Sequence, residues 1–521
     1  MLVIIPTAGI GSRLDLNTKH YNKSMIQIGD VPVISKIIDS YPKNFKFIII
    51  TGYKGDHIQE YLKIIYPKNK FKFVNVKNYD GTGSGLTLSL KHSLNLINKP
   101  FFFHANDTIF ADNTFYKNIY QDTMFLHRGK SDTMKYATVE LSKSKKKIHN
   151  KLSYLRKDYH NYTGVGFVAD IKRFKKTILN DEVNEGELSY FKSLNANNIE
   201  FKFVRSWFDI GSKETKEKAE KFFMNKSILP KFDQGIFFKN SKVYKFFTNP
   251  EIVRKRYDRS IILKNFVPTL ISKKKYFYIY KFVKGKVFSK IFNKKKLFKK
   301  LLNWLKKEFW REKKLNKYKV LFFQQKCNSF YYEKTLSRIN YLYEKNNLKD
   351  QNENINNTSV KKISSLFEKI NWKIINKGLP VNFHGDLHFE NIIVNKNKFT
   401  LLDWREDFSG LKNYGDLYYD LAKINHGLII DHNIISLSKF KINAEGQKIK
   451  LSFFRSKTNK ECQKILFNFI RQNNLSVYKV KILTSLIFLN IAGLHHYPYS
   501  IFLYYLGKLS LQKVINEKIK I

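Results

Sequence analysis

Residues 383–403 read F-H-G-D-L-H-F-E-N-I-I-V-N-K-N-K-F-T-L-L-D, which sets Asp386, Asn391 and Asp403 at the spacing a phosphoryl-transfer site requires. Asp386 is spaced to orient an acceptor hydroxyl and receive its proton. Asn391 and Asp403 are spaced to hold Mg²⁺ against nucleotide phosphates. The same chain opens with a second phosphate-handling pattern at residues 5–14, I-P-T-A-G-I-G-S-R-L. Two such patterns on one polypeptide suggest consecutive steps of one route.

The chain has 521 residues, more than a single core usually supports, so at least two domains are expected. Hydrophobic residues at 43% and aromatics at 16% supply ample core material. Lys and Arg number 95 against 43 Asp and Glu, a net charge of +52. The excess is mostly lysine, spread along the chain among abundant Asn, Ile, Phe and Tyr, as in a composition biased by A/T-rich coding. It therefore calls for no specific nucleic-acid partner, although the positive field favours anionic metabolites. Cys327 and Cys462 lie far apart without metal-ligand spacing, which excludes a disulfide framework and a zinc site. The first apolar run leads straight into a glycine turn, unlike a signal peptide, and the longest apolar stretch, residues 483–494, is short for a bilayer span. No transmembrane segment and a cytoplasmic location are expected. No pattern assigns an oligomeric state.

Short β-type runs at residues 2–5, 45–51, 71–76, 100–104 and 138–141 alternate with helical spacing at 33–41 and 55–65, which predicts a parallel α/β sheet. After Phe223 the pattern changes to strand-like pieces at 235–238, 242–247 and 276–282, followed by Lys-rich helical segments. The expected division is 1–225 and 231–521. Residues 345–360, rich in Asn, read as an exposed loop.

In the glycine turn, Gly9, Gly11 and Ser12 let backbone amides approach a phosphate chain and Arg13 adds charge. No G-K-[ST] closes a Walker A loop, and Leu14 replaces the third glycine of the dinucleotide fingerprint. Lys23 follows shortly, Gly81-Thr82-Gly83-Ser84-Gly85 forms a second small-residue loop, and Asp107 follows a strand. Trp207-Phe208-Asp209-Ile210-Gly211 brings a late aspartate. Two aspartates meeting near one phosphate chain suit Mg²⁺, a hard cation.

In this order the pieces resemble the sugar-phosphate nucleotidyltransferase family over about residues 1–223. The resemblance implies a Rossmann-like nucleotidyltransferase domain in which Gly9, Gly11, Ser12 and Arg13 contact the triphosphate and Lys23 the phosphates. It puts Gly81, Thr82 and Gly83 near the base, makes Asp107 and Asp209 the magnesium ligands, and sets Gly164-Val165-Gly166-Phe167 on the substrate side. The sequence departs from the family at Pro6-Thr7 and at His104-Ala105-Asn106.

His384-Gly385-Asp386-Leu387-His388-Phe389-Glu390-Asn391 resembles the catalytic loop of the aminoglycoside phosphotransferase and choline kinase group, with Trp404-Arg405 after Asp403 in place of the Phe-Gly of protein kinases. That implies an α+β bilobal protein-kinase-like domain. Lys245 is the expected ATP-phosphate lysine and Glu251 its ion-pair partner. Asp416 and Asp420 are read as loop supports or substrate contacts, and His388 as a loop-packing residue. His495 and His496 are read as an aromatic helix contact.

The two resemblances together imply a bifunctional enzyme. A kinase would use ATP to phosphorylate a small hydroxyl compound such as a choline-like alcohol, polyol or sugar. A Mg²⁺-dependent nucleotidyltransferase would then convert the product to a nucleotide-activated donor for surface polysaccharide. CTP is the favoured second triphosphate. The alternatives are a uridylyl- or thymidylyltransferase joined to a sugar kinase, and a basic nucleic-acid-binding protein with degenerate enzyme domains.

Overall fold

The computed structural model describes residues 1–11, 19–82, 84–129, 131–142, 146–156, 158–223, 233–291, 294–396, 398–430 and 439–519. Of the expected site residues, Ser12, Arg13 and Gly83 lie outside them.

The first strand, β1 (Leu2–Pro6), shows how the sequence builds the sheet. Val3 and Ile5 enter one apolar cluster and Leu2 and Ile4 another, and all four are buried. A strand buried on both faces reads as a continuous apolar run. Next come β2 (Lys46–Thr51) and β3 (Lys70–Asn75), then β4 (Phe101–His104), β5 (Thr108–Phe110), β6 (Thr123–His127), β7 (Thr138–Leu141) and β8 (Lys146–His149). The series continues with β9 (His160–Val168), β10 (Glu200–Val204) and β11 (Trp207–Asp209). The large sheet has the order β8-β7-β9-β4-β1-β2-β3, with β6 pairing β9 and β10.

The expected parallel sheet holds for β4-β1-β2-β3. Beyond β4 the sheet is mixed. Strand β9 runs antiparallel to β4, and residues 138–141 form an antiparallel pair with β8 rather than another parallel strand. Helix α1 (Val33–Asp39) and helix α2 (Gly55–Ile65) match the helical spacing, and α2 buries Ile58, Tyr61, Leu62 and Ile65 on one side. A shorter helix, α3 (Glu187–Ser193), lies between β9 and β10 in the chain and buries Leu188, Tyr190 and Phe191.

The chain divides into two compact units, residues 1–250 with 274–279, and residues 251–273 with 280–521. The division differs from the one expected at 225–231. Strands β12 (Gln234–Lys239) and β13 (Lys242–Phe247) fall in the first unit, along with the start of β14 (Phe277–Lys281). The reason is packing: Phe237, Tyr244, Phe246 and Phe277 join the same apolar cluster as Val3 and Tyr61. Tyr276 adds backbone and hydroxyl hydrogen bonds to Glu60 and Asp56 of α2.

In the second unit, helix α4 (Pro250–Ile262, from Glu251 onward) comes first, and helix α5 (Lys334–Asn346) comes after two further helices, Lys295–Trp304 and Lys317–Asn328. Helix α6 (Leu417–Ile429), helix α7 (Val477–Ala492) and helix α8 (Tyr499–Ile519) pack in sequence, α7 touching both neighbours. Among the described residues no helix is long and apolar enough to cross a membrane. The segment read as an exposed loop is partly a hairpin, β15 (Glu353–Ile355) and β16 (Thr358–Val360), with Ile355 and Val360 buried. Asn356 and Asn357 both take positive φ (50° and 61°), the geometry of a two-residue hairpin turn. Polar composition concealed this, because the same asparagines that suggest disorder also favour such turns.

The hairpin is fastened by an ion pair inside the unit. Lys508 Nζ lies 2.5 Å from Glu353 Oε2 and 2.6 Å from the Gln351 carbonyl, and both side chains are shut off from solvent. Removing one partner strands the other charge, so Lys508→Met should cost about 3–5 kcal/mol. The loss should appear in denaturant unfolding, and the double variant Lys508→Met/Glu353→Met should recover most of it.

Candidate functional site

In the first unit the turn after β1 is tied to its neighbours. Thr7 donates from N and Oγ1 to the Ile50 carbonyl (2.7 and 2.9 Å), and Tyr53 N donates to Ala8 O (2.9 Å). Asn22 is fully buried and acts as a three-way bracket. Its Nδ2 donates to the carbonyls of Thr7 and Tyr53 (2.8 Å each), and its Oδ1 accepts from Ser24 N (2.9 Å). This bracket caps the short helical turn Lys23–Met25 and fixes where Lys23 emerges. The ammonium of Lys23 then lies 2.5 Å from Asp107 Oδ2.

Asp107 and Asp209, 102 residues apart in the chain, are brought together by a small antiparallel ladder. Strand β11 pairs β5 with Asp209 opposite Thr108, and Ile210 N donates to the Asp107 carbonyl (2.8 Å). Asp209 accepts from the Tyr136 hydroxyl (2.9 Å) and from Gly211 N (2.7 Å). Burial, and after it the neighbouring Asp107 charge, raises the Asp209 carboxyl above its ordinary range. Gly164 lets β9 approach this turn: its φ is +78°, a Cβ there would come within 2.9 Å of Ala105 Cβ, and its carbonyl accepts from Ala105 N (2.9 Å). His104, where the sequence departs from the family pattern, is a buried structural group. Burial depresses it to about 4; Nε2 donates to Thr108 O (3.1 Å), which leaves Nδ1 to accept from the Tyr41 hydroxyl (2.8 Å).

Gly9 and Thr82 are exposed, and Gly81 is exposed with positive φ. The loop holding Gly81 is anchored by Asn184, which donates to Ser84 O (3.0 Å) and accepts from Thr87 N (3.0 Å). Glu187, at the start of α3, was not legible as a site residue, and its only signal is the preceding glycine. Its carboxyl is buried next to the Tyr162 hydroxyl, and burial pushes it up to about 8, with the Asp107 charge adding to the rise.

In the second unit the loop of residues 384–391 is held from beneath by Asp420. That buried carboxylate accepts from His384 N (2.8 Å), Gly385 N (2.8 Å) and Trp310 Nε1 (3.1 Å). Asp416 plays a different structural part, capping α6 through Tyr418 N and accepting from Leu379 N and the Tyr331 hydroxyl. His384 is neutral, pushed down to about 3 by burial. Its Nδ1 accepts from Asp386 N and its Nε2 donates to Leu402 O.

Asp386 itself is partly exposed: Lys423 Nζ meets its Oδ1 at 2.8 Å and His388 Nε2 lies 3.6 Å from its Oδ2. Burial alone would lower His388, but the carboxylates of Asp386 and Glu390 outweigh it and raise it to about 9. The Asn391 amide nitrogen donates to the Asp386 carbonyl (2.9 Å), so its oxygen faces away. Asp403 has φ of +56° and its Oδ1 takes the Arg256 guanidinium, which also reaches Glu406 at 3.5 Å. Arg259, buried, donates to the carbonyls of Phe383 (2.6 Å) and Arg405 (2.5 Å), linking the two segments that carry Asp386 and Asp403.

Sequence spacing did not single out Lys423, Arg256 or Arg259. Lys423 had one signal, its place one helical turn beyond Asp420. Lys245 is buried on β13 in the first unit, and Glu251 opens α4 with its carboxylate engaged by Arg254 (2.8 Å). His495 lies 4.9 Å from Tyr499, a local ring contact at the start of α8 and not one between two helices. Among the described residues no group of three or more His, Cys, Asp or Glu side chains is gathered to hold a metal, so any ion here would rest on paired side chains and phosphate oxygens.

No family model matches the chain. Over 113 residues it is 30% identical to the bifunctional protein GlmU of Methanococcus aeolicus, a match covering 22% of this chain and 26% of that protein. The chain thus spans about a quarter of that relative's length. Among solved structures, it is similar to a putative glucose-1-phosphate thymidylyltransferase from Bacillus anthracis, at 17% identity and a TM-score of 0.36, over 44% of this chain and 98% of that one. It is also similar to CTP:phosphocholine cytidylyltransferase from Streptococcus pneumoniae, at 19% identity and a TM-score of 0.35, over 42% and 98%.

Glu187 gives this site a measurable pH signature. Between its ordinary value of 4.5 and its folded value of about 8, the folded protein keeps a proton that the unfolded chain releases. Stability therefore falls as pH rises through that window and levels off above it. Glu187→Gln should melt with the parent protein below pH 4.5 and above it in temperature at pH 8, by calorimetry.

Proposed function

We propose that the chain joins a nucleotidyltransferase, in the first unit, to an ATP-dependent kinase of a small hydroxyl compound, in the second. The observation that carries this reading is the convergence of Lys23, Asp107 and Asp209 from three distant parts of the first unit. The 30% identity to GlmU over 113 residues supports the same assignment. For the second unit the support is the loop geometry: Asp386 partly exposed and held by Lys423, and Asn391 with its oxygen directed away from the Asp386 carbonyl.

Asp107 and Asp209 fit a divalent cation, because burial and the neighbouring Asp107 charge both oppose ionisation of Asp209, and a hard positive ion between the two carboxylates relieves that cost. Asn391 and Asp403 supply oxygen donors of the same kind. Magnesium, when bound, would neutralise phosphate charge and orient the phosphates at each site. In the first unit, Lys23 draws the phosphate chain toward Asp107 while the backbone amides near Gly9 and Gly11 approach it. An oxygen of the phosphomonoester attacks the α-phosphorus of the triphosphate, and the bond to the departing pyrophosphate breaks. In the second unit, Asp386 accepts the proton of the acceptor hydroxyl as that oxygen bonds to the γ-phosphorus and ADP leaves. Lys423 and His388 hold the Asp386 carboxylate in place for this step.

The product of the kinase would be the substrate of the nucleotidyltransferase, and CTP is the first triphosphate to test. The roles of Lys245 and Glu251 rest on the resemblance that suggested them. Single variants separate the two sites. Asp386→Asn should abolish ADP formation from ATP and acceptor, with pyrophosphate release from a supplied phosphomonoester unchanged. Asp107→Ala should do the reverse. Loss of both activities in either single variant contradicts two independent sites.

A further inference from the structure

We propose that the acceptor of the second unit carries an oxyanion, a carboxylate or a phosphate, in addition to the hydroxyl that receives the phosphoryl group. The proposal rests on the kinase reading above and narrows its substrate class. It comes from the side chains around Asp386, whose charge is the opposite of what a choline-like cation needs.

Phe330 is the floor of this region. Phe408 stacks on one face of its ring at 4.4 Å, and Tyr419 stands edge-on at 4.8 Å. Two cations lie over the same ring: Lys334 Nζ at 4.5 Å from the centroid and the Arg405 guanidinium at 4.9 Å. Lys334 follows Phe330 by one helical turn, just as Lys423 follows Tyr419 by one turn on α6, so floor and charge arrive together from each side.

The cluster adjoins the reacting carboxylate. Arg405 N donates to His384 O (2.9 Å), and the Arg405 side chain crosses Gly385, where a Cβ would come within 2.6 Å of Arg405 Cβ. Lys423 contacts Asp386 directly at 2.8 Å. Burial first, and after it the fields of Arg405, Arg338 and Lys423 against the opposing field of Glu406, hold the Lys334 ammonium well below the usual range. Against these four cations stand Asp386, paired with Lys423, and Glu406, shared between Arg256 at 3.5 Å and Arg405 at 3.9 Å. Lys334 itself makes no hydrogen bond or ion pair among the described residues. A half-buried ammonium crowded by like charges and lacking an oxygen partner destabilises the unliganded protein, and an acceptor oxyanion beside it relieves that cost. A quaternary ammonium would add to the repulsion.

The step balances as a phosphoryl transfer. The acceptor hydroxyl oxygen bonds to the γ-phosphorus of ATP, the bond to the β-bridging oxygen breaks, the proton passes to Asp386, and ADP departs. The acceptor's own carboxylate or phosphate stays unchanged, held by Lys334 and Arg405.

The experiment gives the full-length protein MgATP and four small hydroxyl compounds, glycerol, choline, D-glycerate and glycerol 3-phosphate, and measures ADP. In parallel, mild acetylation followed by mass spectrometry reads whether each compound shields Lys334. Turnover and shielding are expected with an anionic compound, D-glycerate indicating a carboxylate site and glycerol 3-phosphate a phosphate site. Lys334→Gln should raise KM for that acceptor by about tenfold or more, with KM for ATP within about twofold, and Lys334→Arg should restore most of the affinity. Better turnover of choline or glycerol than of either anion, or no shielding by either anion, overturns the proposal while leaving a kinase in place. Shielding by an anion without ADP from any compound keeps the anion site and refutes the kinase reading instead.

Discussion

Like charges held close together are the constraint on which both units depend. At short range in a partly dry environment such pairs repel strongly, so they persist only where the backbone leaves them no alternative. In the first unit the ladder between β5 and β11 supplies that rigidity: the pairing of Asp209 with Thr108 and the bond from Ile210 N to Asp107 O fix the two carboxylates relative to one another. Tyr136 and the Gly211 amide then orient Asp209, and Lys23, delivered by the Asn22 bracket, offsets the charge from one side. The second unit uses the same principle with two signs. Asp420, itself raised to about 6 by burial, holds the backbone of residues 384 and 385. That hold lets Asp386 face a crowd of cations.

How much of this was legible in the sequence depends on the range over which each feature is determined. Strand β1 and helix α2 are local: their apolar spacing alone sets buried faces, and both appear where the spacing put them. The loop of residues 384–391 is also local, since its turn, its glycine and its spaced side chains lie within eight residues. The antiparallel half of the sheet was hidden because strand direction is set by chain routing, which apolar alternation does not encode. The membership of β12 and β13 in the first unit was hidden for a related reason. Phe237, Tyr244 and Phe246 read as strand residues from either side of a boundary, and only their partners in the Val3 and Tyr61 cluster decide which core they complete.

The site residues that escaped the sequence are nearly all cations: Arg256, Arg259, Lys334, Arg405 and Lys423. In a chain with 95 Lys and Arg residues, a single basic side chain carries almost no information. A carboxylate among 43 carries more, and the motif-bearing acids stood out for that reason. What separates a functional lysine from the background here is its surroundings. Lys508 is fully buried and meets Glu353 at 2.5 Å. Lys479 donates to the Lys377 carbonyl at 2.7 Å and lies 3.6 Å from Asp416. Lys423 meets Asp386 at 2.8 Å. Each of these lysines has an oxygen to compensate for lost water, as buried charge requires.

Lys334 breaks that rule: it has the ring of Phe330 at 4.5 Å but no bonded oxygen, and burial and three cations outweigh the more distant Glu406. A cation–π contact is worth about 0.5–2 kcal/mol. That falls short of balancing burial and several like charges in a site of reduced dielectric. The cluster is thus a local violation of the consistency that folded sequences otherwise keep, and such violations concentrate where function requires them. Over most of the surface the net charge of +52 needs no explanation beyond composition. Beside Asp386 the same abundance of lysine and arginine is gathered in one place, and a charge that water solvates only in part there is one a substrate can stabilise.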